Sequence, residues 1–176
     1  PALLLLLLLP LPRPACAPAQ TVNLAENSSF EVDELGHISM WTMDAQDNSP
    51  AAVRFFTTDV EKVSGGRSLA IANLEPNDAR AVQWIRTKPD TWYRISCWVQ
   101  ARDVESEASG ANISVLGSTR LAGNLRDTRG RWTYVELLGK TGPEQRAVAV
   151  LCRLGFYRNP AKGLALFDDF KVEELA

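Results

Sequence analysis

Histidine occurs once in 176 residues, methionine twice and cysteine three times, and each scarcity closes a class of chemistry. His37 and the two cysteines beyond residue 19 are too few for a structural zinc site of four His and Cys ligands. They also leave few ways to set a histidine base beside a nucleophile. Positive charge is not in excess, with 19 Lys and Arg against 21 Asp and Glu. No field for a polyanion follows, so nucleic acid is not an expected partner. No apolar run approaches the roughly 20 residues that cross a bilayer, so no membrane span is expected. These absences tilt the chain away from enzymes.

The longest apolar run is Leu3 to Leu9, seven leucines, followed by prolines and then Ala17-Pro18-Ala19 before Gln20. An apolar stretch with a small-x-small end is a secretory leader and its cleavage site. The expectation is a leader over 1–19 and one domain over 20–176, secreted, periplasmic or on the cell surface. Lipid anchoring through Cys16 is the weaker alternative, since Arg13 stands where that signal takes an aliphatic residue. A basic segment and an initiating Met are missing, and the chain ends directly after its last apolar run. It is therefore expected to be one module of a longer gene product. Export places Cys97 and Cys152 where a disulfide is permitted.

From residue 20 onward the pattern has period two. Tyr93, Ile95, Cys97 and Val99 alternate with Arg94, Ser96, Trp98 and Gln100, as in a half-buried strand. Similar runs fall at 52–57, 68–74, 81–87, 111–116, 132–138, 148–154 and 164–172. Between them lie turn formers such as Ser64-Gly65-Gly66, Pro89-Asp90, Arg129-Gly130 and Asn159-Pro160. Eight strands and no amphipathic helix imply an all-β, antiparallel sandwich or barrel.

Three ordered pieces carry a resemblance. They are Asn23-Leu24 with Asn27-x-Ser29-Phe30-Glu31, Trp41 and the 63–69 stretch Val-Ser-Gly-Gly-Arg-Ser-Leu; then Pro89 to Val99; then Gly163 with Phe167-Asp168-Asp169-Phe170-x-Val172. Together they resemble the carbohydrate-binding modules of the family 4, 9 and 22 group, jelly rolls of the galactose-binding-domain-like kind. The resemblance spans nearly all of residues 22–175 and implies a β-sandwich jelly roll of two antiparallel sheets. It further implies a carbohydrate partner and a non-catalytic role. The longer gene product expected from the chain's ends, an enzyme or an envelope protein, would in the first case supply a catalytic domain as a partner in the same chain.

If the eight strands take jelly-roll order, those starting near Ser68, Tyr93, Ala111 and Val148 share one sheet, with the Tyr93 and Val148 strands adjacent. Cys97 and Cys152 then lie on the inward phase and within reach of a bridge, the alternative being two buried thiols. On the outward phase, Trp98 beside Arg153 becomes the stacking platform with its hydroxyl donor. Arg94, Ser96, Gln100 and Asn112 surround them, and Tyr157 stands at the groove end. Trp84 is a further candidate, although the alternation around it leaves open which phase faces inward. That groove carries no pair of carboxylates, which argues against glycoside hydrolysis.

The resemblance also implies a structural Ca²⁺, with Asp168 and Glu31 as side-chain ligands and Ser29 and Gly66 supplying backbone oxygens, a hard-oxygen set. Strand phase places Asp168 with Leu166, Phe170 and Val172, so a buried carboxylate there needs a cation. A second class of function is a protein-interaction or surface-assembly domain on the same fold. Two triplets of the glycosylation type occur, at Asn27 and at Asn112.

Overall fold

The computed structural model describes residues 21–175, so the leader expected over 1–19, Cys16 included, lies outside the described residues. Ten strands form: β1 (Thr42–Ala45), β2 (Val53–Thr58), β3 (Ser68–Asn77), β4 (Ala79–Arg86), β5 (Trp92–Arg102), β6 (Ala111–Val115), β7 (Leu121–Leu125), β8 (Thr133–Lys140), β9 (Ala147–Leu154) and β10 (Ala161–Glu174). They build two antiparallel sheets in the orders β2-β3-β10-β5-β8 and β1-β4-β9-β6-β7, an all-β sandwich.

The inward phases meet to form the core. Leu69 and Ile71 from β3, Ile95 and Val99 from β5, and Phe167 and Val172 from β10 face Ala81 and Ile85 from β4, Ile113 from β6 and Val150 from β9. Phe30, Trp41 and Phe170 interlock along one flank, with ring centroids 5.0 and 5.1 Å apart. The Trp41 indole N–H donates to the Asn27 carbonyl at 3.2 Å, so the ring's polar handle is satisfied inside the core.

Chain alternation is legible in β5, but the expected assignment of strands to sheets is corrected. The Ser68 and Tyr93 strands share one sheet, whereas the Ala111 and Val148 strands belong to the other. The chain changes sheets at Asn77-Asp78-Ala79, between β3 and β4, returns to the first sheet for β5, crosses again for β6 and β7, and then alternates, with β8 and β10 in the first sheet and β9 in the second. Cys97 and Cys152 are therefore not cross-strand neighbours. They point inward from facing sheets as two free, fully buried thiols. Burial, and then the Cys97 thiol beside it, push the Cys152 thiol well above its usual range.

The phase expected along the last strand is corrected as well. A bulge between Asp168 and Lys171, with Asp169 in the left-handed region at φ 50°, resets the alternation. Phe167 and Phe170 both enter the core, while Leu166 and Asp168 face the other way.

Candidate functional site

The sandwich has two outer faces, and the structure divides the expected groove residues between them. Trp98, Arg94, Ser96 and Gln100 stand on the β2-β3-β10-β5-β8 sheet; Arg153, Asn112 and Trp84 stand on the other, with Tyr157 in the loop after β9. The pairing of Trp98 with Arg153 in one groove is thereby corrected: the full thickness of the core separates them.

On its own face, Trp98 packs edge-on against Tyr134 of β8 at 5.5 Å. Arg94 lies within reach of Glu136 and Glu173, and Ser96 and Gln100 are buried. A loop, residues 59–67, is fastened to this sheet. Asp168 accepts the N–H of Val63 and, at 2.8 Å, of Ser64, and Arg102 pairs with Glu61. The chain covers part of this face, while Phe56, Trp92, Tyr134 and Leu138 remain exposed on it.

The same loop gathers the expected metal ligands. Glu31 Oε1 accepts the Gly66 N–H at 2.6 Å, and the Ser29 and Ser64 hydroxyls lie 3.3 Å apart. A Cβ at Gly65 would fall 2.6 Å from Glu31 Oε1, and one at Gly66 2.9 Å from Oε2, so the glycines make room for that carboxylate. Asp168 is fully buried and forms no ion pair among the described residues. Burial pushes its carboxyl above the ordinary value, against the opposing pull of the Ser64, Val63 and Asp169 amides. Two carboxylates among serine and backbone oxygens fit a hard cation in kind. The set is short of a third acid, since no cluster of three or more His, Cys, Asp or Glu side chains occurs among the described residues. The Gly66 carbonyl meanwhile accepts from Lys62 Nζ at 3.1 Å.

The opposite face has a different character. The outward phase of β4 is Arg80, Val82, Trp84 and Arg86, and that of β9 is Ala147, Ala149, Leu151 and Arg153. Register sets Trp84 beside Ala149, whose carbonyl in turn takes the N–H of Leu116. Trp84 is 67% exposed and Leu116 50%, so two raised apolar walls flank a floor of alanine. One row further along, Thr42, Val82, Leu151, Ser114 and Leu121 align across all five strands.

The next row is polar. Arg80 bonds Asp44, its Nε at 2.8 Å, and Arg153 grips Asp78 through two nitrogens, Nε at 2.6 Å. Such forked pairing fixes both groups in direction. The Phe156 ring lies 4.0 Å over the Arg153 guanidinium and covers it. Beside them Asn112 donates to the carbonyls of Gly110 and Gly155, which leaves its Oδ1 without a partner; the Ser114 hydroxyl has none either. Each such buried atom costs about 1–3 kcal/mol until something bonds it. Tyr157 stands at this end, 70% exposed, with Arg158 near its ring.

Asp44 and Asp78 escaped the sequence reading. Asp78 occupies a Pro-Asn-Asp turn that reads as punctuation, and Asp44 belongs to a strand too short to show alternation.

No sequence-family model and no curated protein matches the chain. Solved structures do. A family 61 carbohydrate-binding module in complex with β-1,4-galactotriose superposes with a TM-score of 0.60 over 88% of this chain and 100% of its own, at 17% identity. The fold is that of carbohydrate-binding modules. A family 4 module matches at a TM-score of 0.56 and 16% identity, over 85% of this chain and 99% of its own. The fold is not confined to sugar binders by name: a cyclase from Fischerella sp. TAU matches at 0.61 and 13% identity, over 89% of this chain and 98% of its own.

Proposed function

We propose that this is an exported, non-catalytic carbohydrate-binding domain that holds a saccharide chain on the outer face of the β1-β4-β9-β6-β7 sheet. A sugar ring needs a flat apolar surface for its C–H face and fixed polar groups for its hydroxyls. Trp84 supplies the first. Asn112 Oδ1 and Ser114 Oγ, on the outward phase of β6 and without a partner, are fully buried in the ligand-free domain and would serve as acceptors for the second only once a saccharide displaces the side chains above them. The carrying observation is the exposed indole of Trp84 beside an alanine floor on the same face as those two unsatisfied oxygens. The galactotriose complex of the family 61 module supports an oligosaccharide as the ligand class. A catalytic domain elsewhere in a longer chain would be brought to its substrate by such a module.

The acid groups of the face are committed to arginines, Asp44 to Arg80 and Asp78 to Arg153 and Arg80, which leaves no free acid and base pair for hydrolysis. Affinity electrophoresis against soluble neutral and acidic polysaccharides tests the reading. Retardation by at least one of them should be lost in Trp84→Ala, with the melting temperature unchanged. Retardation equal in variant and wild type would sink the assignment to this face.

Ca²⁺ is part of the proposal. Glu31 and Asp168 would hold it beside the oxygens of Ser29 and Gly66, neutralising a buried carboxylate that has no cation of its own. EDTA should lower the melting temperature by several degrees and added Ca²⁺ restore it; an unchanged melt removes the ion.

A further inference from the structure

One end of the sandwich is not closed. Where β5, β8 and β9 meet the segment after β6, a cavity of about 230 Å³ opens between the two sheets. Its walls are inward-facing side chains: Tyr93, Ile95, Val115, Leu137, Val148 and Val172. Three of them, Val115, Leu137 and Val148, belong to the core by direction yet remain only partly buried. The contrast is with the flank where Phe30, Trp41 and Phe170 interlock and fill the space between the layers.

The interior offers water little to hold. The Tyr93 hydroxyl is engaged by the Lys88 N–H at 2.8 Å, and none of the buried polar atoms left without a partner lines the cavity. Apolar cavities of about 150 Å³ already stay dry and take up benzene. The rim is polar and of one sign. Arg120 and Lys140 line it with no acidic side chain among the lining residues. Arg120 forms no ion pair among the described residues, and Lys140 reaches only Asp90, at 4.0 Å between two exposed groups. A pair that long and exposed is worth little.

We propose that this mouth binds a free medium-chain alkyl carboxylate, its chain between the sheets and its head group at Arg120 and Lys140. The apolar throat selects the chain, and Arg120, with no acid partner among the described residues, and Lys140, whose one pairing is long and exposed, select the anionic head. The site is separate from the saccharide face: Val115 and Val148 use the inward phase of the same strands whose outward phase carries Ser114 and Ala149.

Isothermal titration of the whole chain with sodium decanoate, below its micellar range, reads the site directly. Decanoate should bind saturably at one site and raise the melting temperature, whereas butyrate should not bind. Filling the throat with Val148→Trp should abolish binding. Val115→Phe makes the same test should the first variant fail to fold, circular dichroism deciding which to use. Reversing the rim with Arg120→Glu and Lys140→Glu should weaken decanoate about tenfold or more. Trp84→Ala should bind it as wild type does, so failure here and failure of the saccharide reading are separable. The proposal is overturned by absent or unsaturable binding in the wild type, by filled variants that bind equally well, or by rim reversal without effect.

Discussion

The two outer faces of this sandwich are made from the same kind of alternating strand and differ in what they leave free. On the β2-β3-β10-β5-β8 sheet much of the outward phase is engaged internally, with Asp168 holding the 59–67 loop by its amides and Trp98 turned edge-on to Tyr134, although Trp92, Tyr134 and Leu138 remain exposed. On the β1-β4-β9-β6-β7 sheet, Trp84 is left open and two polar oxygens are left unpaired. The presence of an aromatic or an arginine on a strand's outward phase does not mark a binding face. The proposed face is chosen for an exposed indole beside polar oxygens that the protein leaves unpaired.

Substitutions that separate the faces sharpen this contrast, and the largest effect is expected at the buried ion pair. Asp78→Ala strands the Arg153 guanidinium inside the polar row and should cost about 3–5 kcal/mol in urea unfolding. Saccharide retention should be lost with it. A loss under 1 kcal/mol would show that the pair is dispensable. On the other face, Asp168→Ala removes the acceptor of the Val63, Ser64 and Asp169 amides and should cost roughly 2–4 kcal/mol, leaving retention by the folded fraction intact.

Acid titration refines the same residue in the metal-free protein. Because burial raises the Asp168 carboxyl, the folded state takes up its proton before the unfolded state does. The stability this group contributes is therefore fully present below its ordinary, unfolded value and lost as pH rises through the raised, folded one. The deficit of Asp168→Asn relative to wild type should widen as pH falls through that window. A deficit constant with pH contradicts the raised value. Smallest of all, Trp98→Ala should cost about 0.5–1.5 kcal/mol through its contact with Tyr134 and change retention not at all. Lost retention would favour the Trp98 face over the one proposed.

Local pattern carried the strands but not their partners. The inward phase of β5 and the turns at Gly65-Gly66 and Pro89-Asp90 are written in neighbouring residues. Which sheet a strand joins depends on pairing between segments that are mostly distant in sequence, as Arg80 with Arg153, and leaves no local periodicity. Two short strands, β1 and β7, were missed. β7 carries Gly123 and Asn124 with positive φ in a half-exposed edge that does not alternate. The bulge at Asp168 was invisible because Asp169 adopts a left-handed conformation without a glycine to announce it. Trp84 stayed undecided because its strand buries a glutamine: Gln83 turns inward and satisfies its amide on the backbone of Glu26 and Met40. The 59–67 loop bonds Glu31 at Gly66 and Asp168 at Val63 and Ser64, contacts between distant segments that no local pattern announces.

Asn112 heads an Asn-Ile-Ser triplet, yet its side chain is wholly inaccessible in the folded domain. In a eukaryotic secretory host, glycan transfer to this asparagine would have to precede folding, and a chain so modified could not close β6 against β9. Yield from such a host would then depend on a race between an enzyme and a sheet, one that removing the triplet's serine would decide only by giving up a groove oxygen.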